Sequence, residues 1–319
     1  MRFGIFAIFL ICLIPGMASA DYICELHPDW CERSGSSRRA SMRPTSPSTG
    51  SSVNINPSAV PVEKGFGIET IGYKSDFDFS VVRGLGRIGA AISPSNSEET
   101  FFGPPGFELE GELLARKIAR DKFKSSKLNL ATAFNLWTNK KKGLSRVEVN
   151  LGLMAKYNGD TKQTKPGGGL SGVLGPITFG LSKYFDQHRF ELNPEIPEDD
   201  VILNYEVETY SGGIFLNTVA VDYSVLKLRA IQEPRQDPAV VTLATLSVFF
   251  KQGIVTLSKR VENSDRRAYN FKTHLLEEIE KKTEYFGGLQ LHLSDHLMLG
   301  FFYNYYLLHE GSVGVTLFF

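Results

Sequence analysis

The sequence predicts an all-β fold, an antiparallel transmembrane β-barrel of twelve to fourteen strands. Three observations predict it. Apolar and polar residues alternate with period two over most of the chain, which is strand geometry. In the clearest stretches the charges keep to one face while the other face is apolar for about ten residues, the length of an oblique crossing. Long and short connections also alternate, as they do when every second connection faces the same side of a membrane.

The pattern is plainest at residues 284–319. Tyr285, Leu289, Leu291 and Leu293 share a face, as do Leu297, Leu299, Phe301, Tyr303 and Tyr305. Val313, Val315, Leu317 and Phe319 then alternate with Ser312, Gly314 and Thr316. A final Phe319 with apolar residues two, four and six places before it resembles the C-terminal signature of bacterial outer-membrane β-barrel proteins. That resemblance implies a place in the outer membrane, recognition by the barrel-assembly machinery, and contact with outer-membrane lipid.

Residues 1–20 read as a secretory signal peptide. Arg2 supplies a positive start, residues 5–13 an apolar core too short to span a bilayer, and Ala18-Ser19-Ala20 a small-residue cleavage site. Ile11 stands before Cys12 where a lipoprotein site needs a small residue. Residues 21–64 read as a periplasmic extension. Cys24 and Cys31 remain after cleavage, and in an oxidising compartment such a pair is most simply a disulfide. A metal site with His27 and Asp29 is the alternative, against which the cysteine spacing counts. From Arg33 to about Pro61 the chain is rich in Ser, Pro, Gly and Arg, and a disordered tether is expected.

The barrel is expected over residues 65–319. A hairpin over residues 65–82 opens it if it belongs to the wall. Phe107, Leu109, Leu113 and Ala115 oppose Glu108, Glu110, Glu112 and Arg116, predicting a strand. Strands over 126–138 and 145–157 follow, the second placing Arg146, Glu148 and Lys156 inward. These charges are read as lumen groups, paired because unpaired buried charge is costly. Gly175-Pro176 is either a hairpin turn or a bend in one strand. Later pairs run over 201–215 and 219–228, with Asn204, Glu206 and Glu208 inward, and over 240–250 and 254–261. Residues 262–282 form a charged outer loop, its end a short helix or a strand extension. A hydrophobic content of 42% suits a wall with one wet face, and a formal net charge of 0 gives no nucleic-acid signal.

Residues 83–106 interrupt the alternation. Gly84, Gly86, Arg87 and Gly89 lead through a polar stretch to Phe101 and Phe102. This segment weakly resembles the N-terminal hatch of the outer-membrane long-chain fatty-acid and hydrocarbon transporter family, although Gly103-Pro104-Pro105 stands where Asn-Pro-Ala is expected. The resemblance implies a lumenal plug and a hydrophobic ligand passing beside it, and no ligand-binding residue carries over. The alternative is a Gly/Pro-rich loop.

His292-Leu293-Ser294 has a spacing that puts both side chains on one strand face, as in barrel lipid hydrolases, but no acidic or Asn orienter accompanies it. The chain is therefore read as a non-enzyme without a cofactor. The expected function is passive or ligand-gated uptake of small molecules, hydrophobic ones included; a structural or surface-interaction barrel is the second reading.

Overall fold

The computed structural model describes residues 55–72, 77–95, 127–139, 143–190, 201–216, 218–231, 238–250, 252–263, 267–270, 275–278, 282–294, 296–304 and 311–319. The wall begins with β1 (Gly65–Gly72), β2 (Phe77–Gly84), β3 (Ile88–Ser95), β4 (Lys127–Thr138), β5 (Val147–Asn158), β6 (Gln163–Leu174) and β7 (Ile177–Phe190). It continues with β8 (Val201–Leu216), β9 (Val219–Ala230), β10 (Ala239–Phe250) and β11 (Gly253–Asn263). A separate hairpin of β12 (Arg267–Asn270) and β13 (Leu275–Glu278) intervenes before β14 (Lys282–Ser294), β15 (Leu297–Asn304) and β16 (Gly311–Phe318).

Fourteen strands pair antiparallel with their neighbours in sequence order, β11 with β14 across the small hairpin, and β16 pairs with β1 to close the barrel. Closure leaves no sheet edge, so the backbone ladder satisfies itself, as a membrane interior requires. At the seam Phe66 and Phe319 exchange backbone hydrogen bonds of 2.9 and 2.8 Å, and their rings lie 6.0 Å apart. The terminal residue therefore belongs to the closing ladder.

The two faces have the polarity expected of a membrane barrel. Outward side chains on β5 and on the first part of β9 are apolar, with Leu151, Leu153, Val221 and Tyr223 exposed. Inward groups such as Asn129, Lys156, Ser171, Asp222, Thr256 and Gln290 are buried. Residues 85–87, 139–146, 175–176, 217–218, 251–252 and 295–296 join strands at the end where β1 begins and β16 finishes. Residues 73–76, 96–126, 159–162, 191–200, 231–238, 264–281 and 305–310 join them at the other. The shorter set thus shares one end. Gly175-Pro176 is a hairpin turn, with Gly175 at φ 63°, a conformation that suits glycine.

Four expectations change. The third strand is Ile88–Ser95, whereas a strand was expected at 107–116; those residues lie outside the described ones. Gly84 and Gly89 pair across the β2–β3 turn, with Gly86 and Arg87 inside that turn, so this part of the expected plug is wall. Asn204, Glu206 and Glu208 lie on the outward face: Ile214 and Leu216 are exposed on β8, and period two carries that face to all three, while Tyr205 and Val207 are buried. Finally, residues 55–61, expected at the end of a disordered tether, are buried. The end of the outer loop holds the strand Leu275–Glu278, a strand rather than a helix.

Candidate functional site

A short segment before β1 packs against the barrel's inner face. Residues 55–62 are all buried, and Pro57–Ala59 forms one 3-10 turn. Asn56 caps it: its Oδ1 accepts from the Ser58 backbone N–H at 3.1 Å and from Ser58 Oγ at 2.6 Å. Pro57, with φ already fixed and no N–H to satisfy, suits the first position of that turn. The segment is tied to the wall by side chains on β6 and β7. Ser171 Oγ donates to Ser58 O at 3.0 Å, and Ser182 Oγ donates to Ile55 O at 2.7 Å. Near β1, Gly86 N–H donates to Val62 O at 2.7 Å.

The wall is carved to admit this strap. A Cβ at Gly169 would collide with Asn56 Oδ1, at Gly152 with the Ser58 backbone nitrogen, at Gly89 with Pro61 O, and at Gly84 with Glu63 O. Those contacts trace the strap along the inner wall from β6 past β5 and β3 to β2, and so back to β1. Between them Val60 and Val62 pack in one cluster with Val82, Ala91, Ala131, Ala133 and Met154. Small inward residues on β3 and β4 leave the volume that the two valines fill.

Charged and polar groups flank the strap. Lys127 Nζ lies 2.9 Å and Lys156 Nζ 3.7 Å from Asp186 Oδ2, all three side chains buried, and Lys156 Nζ sits 4.0 Å from the Tyr184 ring centroid. Toward the turn end, Arg146 Nε donates to Glu148 Oε2 at 3.0 Å, Asn150 Nδ2 to Glu148 Oε1 at 2.6 Å, and Asn135 Nδ2 to Asn150 Oδ1 at 2.8 Å. On the opposite wall, the Arg260 guanidinium stacks 4.7 Å from the Phe286 ring centroid and Thr316 Oγ1 donates to Glu69 Oε2 at 3.1 Å. An inward apolar group from β8 to β10, Tyr205, Val207, Leu226, Leu228 and Val241, belongs to the same cluster as the strap valines. Buried inward residues occur on all fourteen wall strands.

Of the residues singled out in the sequence, Arg146, Glu148 and Lys156 are buried in the lumen, the first two paired with each other and Lys156 with Asp186. Glu108, Glu110, Glu112, Arg116, Phe101 and Phe102 lie outside the described residues, as do Cys24 and Cys31. Val313, Val315, Leu317 and Phe319 share the outward face of β16 and its end, with Phe319 66% exposed. His292 lies on β14, while Ser294 Oγ accepts from the His296 backbone N–H at 3.3 Å. Sequence reasoning missed the strap and Asp186. The inward small residues of β3, β5 and β6 were a signal for the strap.

No family model matches the chain, and no curated protein sequence is significantly similar to it. Among solved structures, the Acinetobacter baumannii outer membrane protein Omp33 is similar with a TM-score of 0.37 and 11% identity, over 81% of this chain and 98% of that one. A porin gives a TM-score of 0.35 and 12% identity over 80% and 99%. A multiply substituted Rh. blastica porin gives 0.36 and 11% over 80% and 99%. Likeness this distant assigns no activity to the present chain.

Proposed function

We propose that the protein is an outer-membrane barrel for passive uptake of small molecules, closed at rest by residues 55–62. The observation that carries this reading is the strap itself. Irregular backbone at membrane depth is tolerated where it is buried in protein, and this segment lies against the inward Gly89, Gly152 and Gly169, where a Cβ would collide with it. Hydrogen bonds from Ser171, Ser182 and Gly86 tie it to the rest of the chain. Its departure would uncover polar side chains on β5 to β7 beside the apolar group on β8 to β10. A path lined in this way suits small solutes with an apolar part, and the hydrophobic ligand implied by the transporter resemblance belongs to that class. Of the segment expected as a plug, residues 83–95 form wall and turn, and in this reading residues 55–62 carry the closing role.

In this reading the chain is exported by its signal peptide. Residues 21–54 lie in the periplasm with Cys24 and Cys31 joined, and the long connections face outward. The charges around Asp186 and Glu148 hold the wall rather than a substrate, because each is already paired.

A second reading is a structural barrel without transport, and burial of inward groups on every wall strand favours it. Liposome uptake separates the two. Vesicles carrying the full chain, and others carrying a chain lacking residues 55–62, are offered a short-chain sugar and a medium-chain fatty acid. The uptake reading expects entry to rise several-fold on deletion in a folded barrel. Equal, background entry for both chains and both solutes supports the structural reading.

A further inference from the structure

The outward face changes character around the barrel. On β5 it is apolar from Val147 through Val149, Leu151, Leu153 and Ala155 to Tyr157. At ~3.3 Å per residue and a tilt of ~40° this run rises about 25 Å, the height of an outer-membrane apolar band. On β8 the outward run is Leu216, Ile214, Gly212 and Tyr210, about 15 Å by the same measure, and the next outward residues are Glu208 and Glu206. On β7 it ends at Leu181, before Lys183; on β9 at Val225, before Lys227 and Arg229; on β11 at Leu257, before Lys259.

These outward charges form a surface network. Lys183 Nζ lies 2.8 Å from Glu206 and 3.0 Å from Glu208, and is half exposed. Tyr210 Oη donates to Glu208 at 2.9 Å, and Lys227 Nζ sits 5.4 Å from the Tyr210 ring centroid. The residues between them point inward and are apolar: Tyr205, Val207, Leu226 and Leu228. Polarity therefore inverts along single strands. Toward the turn end, Tyr210, Ile214, Val221 and Tyr223 stand outside β8 and β9, with Thr209, Asp222 and Ser224 inside them and Phe215 and Ala220 at the inner end; farther along, Glu206, Glu208, Lys227 and Arg229 stand outside and the apolar group inside, as in a water-soluble sheet. Outward tyrosines, which favour the membrane–water boundary, follow the same step. Tyr157 stands near the far end of β5, whereas Tyr210 and Tyr223 stand nearer the turn ends of β8 and β9.

We propose that the barrel imposes a membrane of uneven thickness, its outer hydrocarbon boundary about 10 Å lower along β7 to β9 than along β5. Lys183, Glu206, Glu208, Lys227 and Arg229 then lie among headgroups and water of the outer leaflet. The lipid is the occupant because the network contains both cations for phosphate and carboxylates for water, flanked by interfacial tyrosines. At hydrocarbon depth such outward charges are destabilising. The inference rests on the membrane reading above, and its test separates the two.

Ala155 and Lys227 stand the same number of residues beyond the first residue of their strands, as do Leu151 and Tyr223. Each is changed to Cys in a background with Cys12, Cys24 and Cys31 replaced by Ser, with Arg229→Cys as a second upper site on β9. Nitroxide-labelled proteins in phosphatidylcholine–phosphatidylglycerol vesicles are tested for collision with oxygen and with a water-soluble nickel chelate. The proposal expects positions 151, 223 and 155 to favour oxygen and positions 227 and 229 to favour nickel by several-fold. If 227 and 229 favour oxygen as 155 does, the boundary is level and the proposal fails. If they are shielded from both reagents, a second copy covers the sector and the proposal fails. If 151 and 223 favour nickel, the membrane reading itself fails.

Discussion

Gly152 on β5 faces the backbone nitrogen of Ser58 so closely that a side chain there would overlap it. The strap and the wall are matched at this point by the absence of a single methyl group. Replacing Gly152 with Val is expected to push residues 55–62 from their seat while leaving the ladder to β4 and β6 intact. Backbone amide exchange at Ser58 and Ala59 should accelerate at least ten-fold, with heat-modifiable migration unchanged. Unchanged exchange in a folded variant would show that the strap does not depend on this fit.

Asp186 accepts a hydrogen bond from Lys127 and lies 3.7 Å from the Lys156 ammonium, and its removal leaves both lysines without that partner in the lumen. Breaking a buried pair from one side costs about 3–5 kcal/mol. Asp186→Ala should lower the denaturant midpoint of the folded barrel accordingly. Combining Asp186→Leu with Lys127→Met should recover most of the loss, because the uncompensated charge is reduced. A double variant no better than the single one would place the cost elsewhere.

Phe319 closes the seam with Phe66 through both backbone bonds and a ring contact. Deleting Phe319 removes all of these together with the end of the proposed assembly signal formed with Val313, Val315 and Leu317. Outer-membrane insertion should fall by an order of magnitude. Normal amounts of heat-modifiable protein in the membrane fraction would contradict the signal.

The β12–β13 hairpin lies in the connection between β11 and β14, at the end opposite the chain termini of the wall. Protease added to whole cells should cut within residues 264–281 and spare the turn at Lys251. Cleavage at Lys251 in intact cells would turn the barrel over.

Much of the wall was legible from sequence because large apolar and charged residues alternate cleanly, as in Leu128 to Leu136 and Val147 to Tyr157. β3 was not. Gly89, Ala90, Ala91 and Pro94 carry little hydropathic contrast, so period two has nothing to act on, while Glu108, Glu110 and Glu112 offered a stronger but different pattern. The direction of Glu206 and Glu208 was misjudged by assuming that charge faces the lumen; counting by twos from Ile214 points them outward. The glycines at 84 and 89 were read as part of a plug, and they pair across the β2–β3 hairpin. They are the wall that receives the strap, and the strap is a Pro/Ser segment whose few apolar residues gave no periodic signal of their own.

Single-channel conductance across a planar bilayer tests the central claim most directly. The full chain is predicted to be nearly silent, and the same chain lacking residues 55–62 to show discrete openings at least ten times larger, with the barrel folded in both. Equal conductance from the two folded proteins would contradict the account of residues 55–62 as the closure of this barrel.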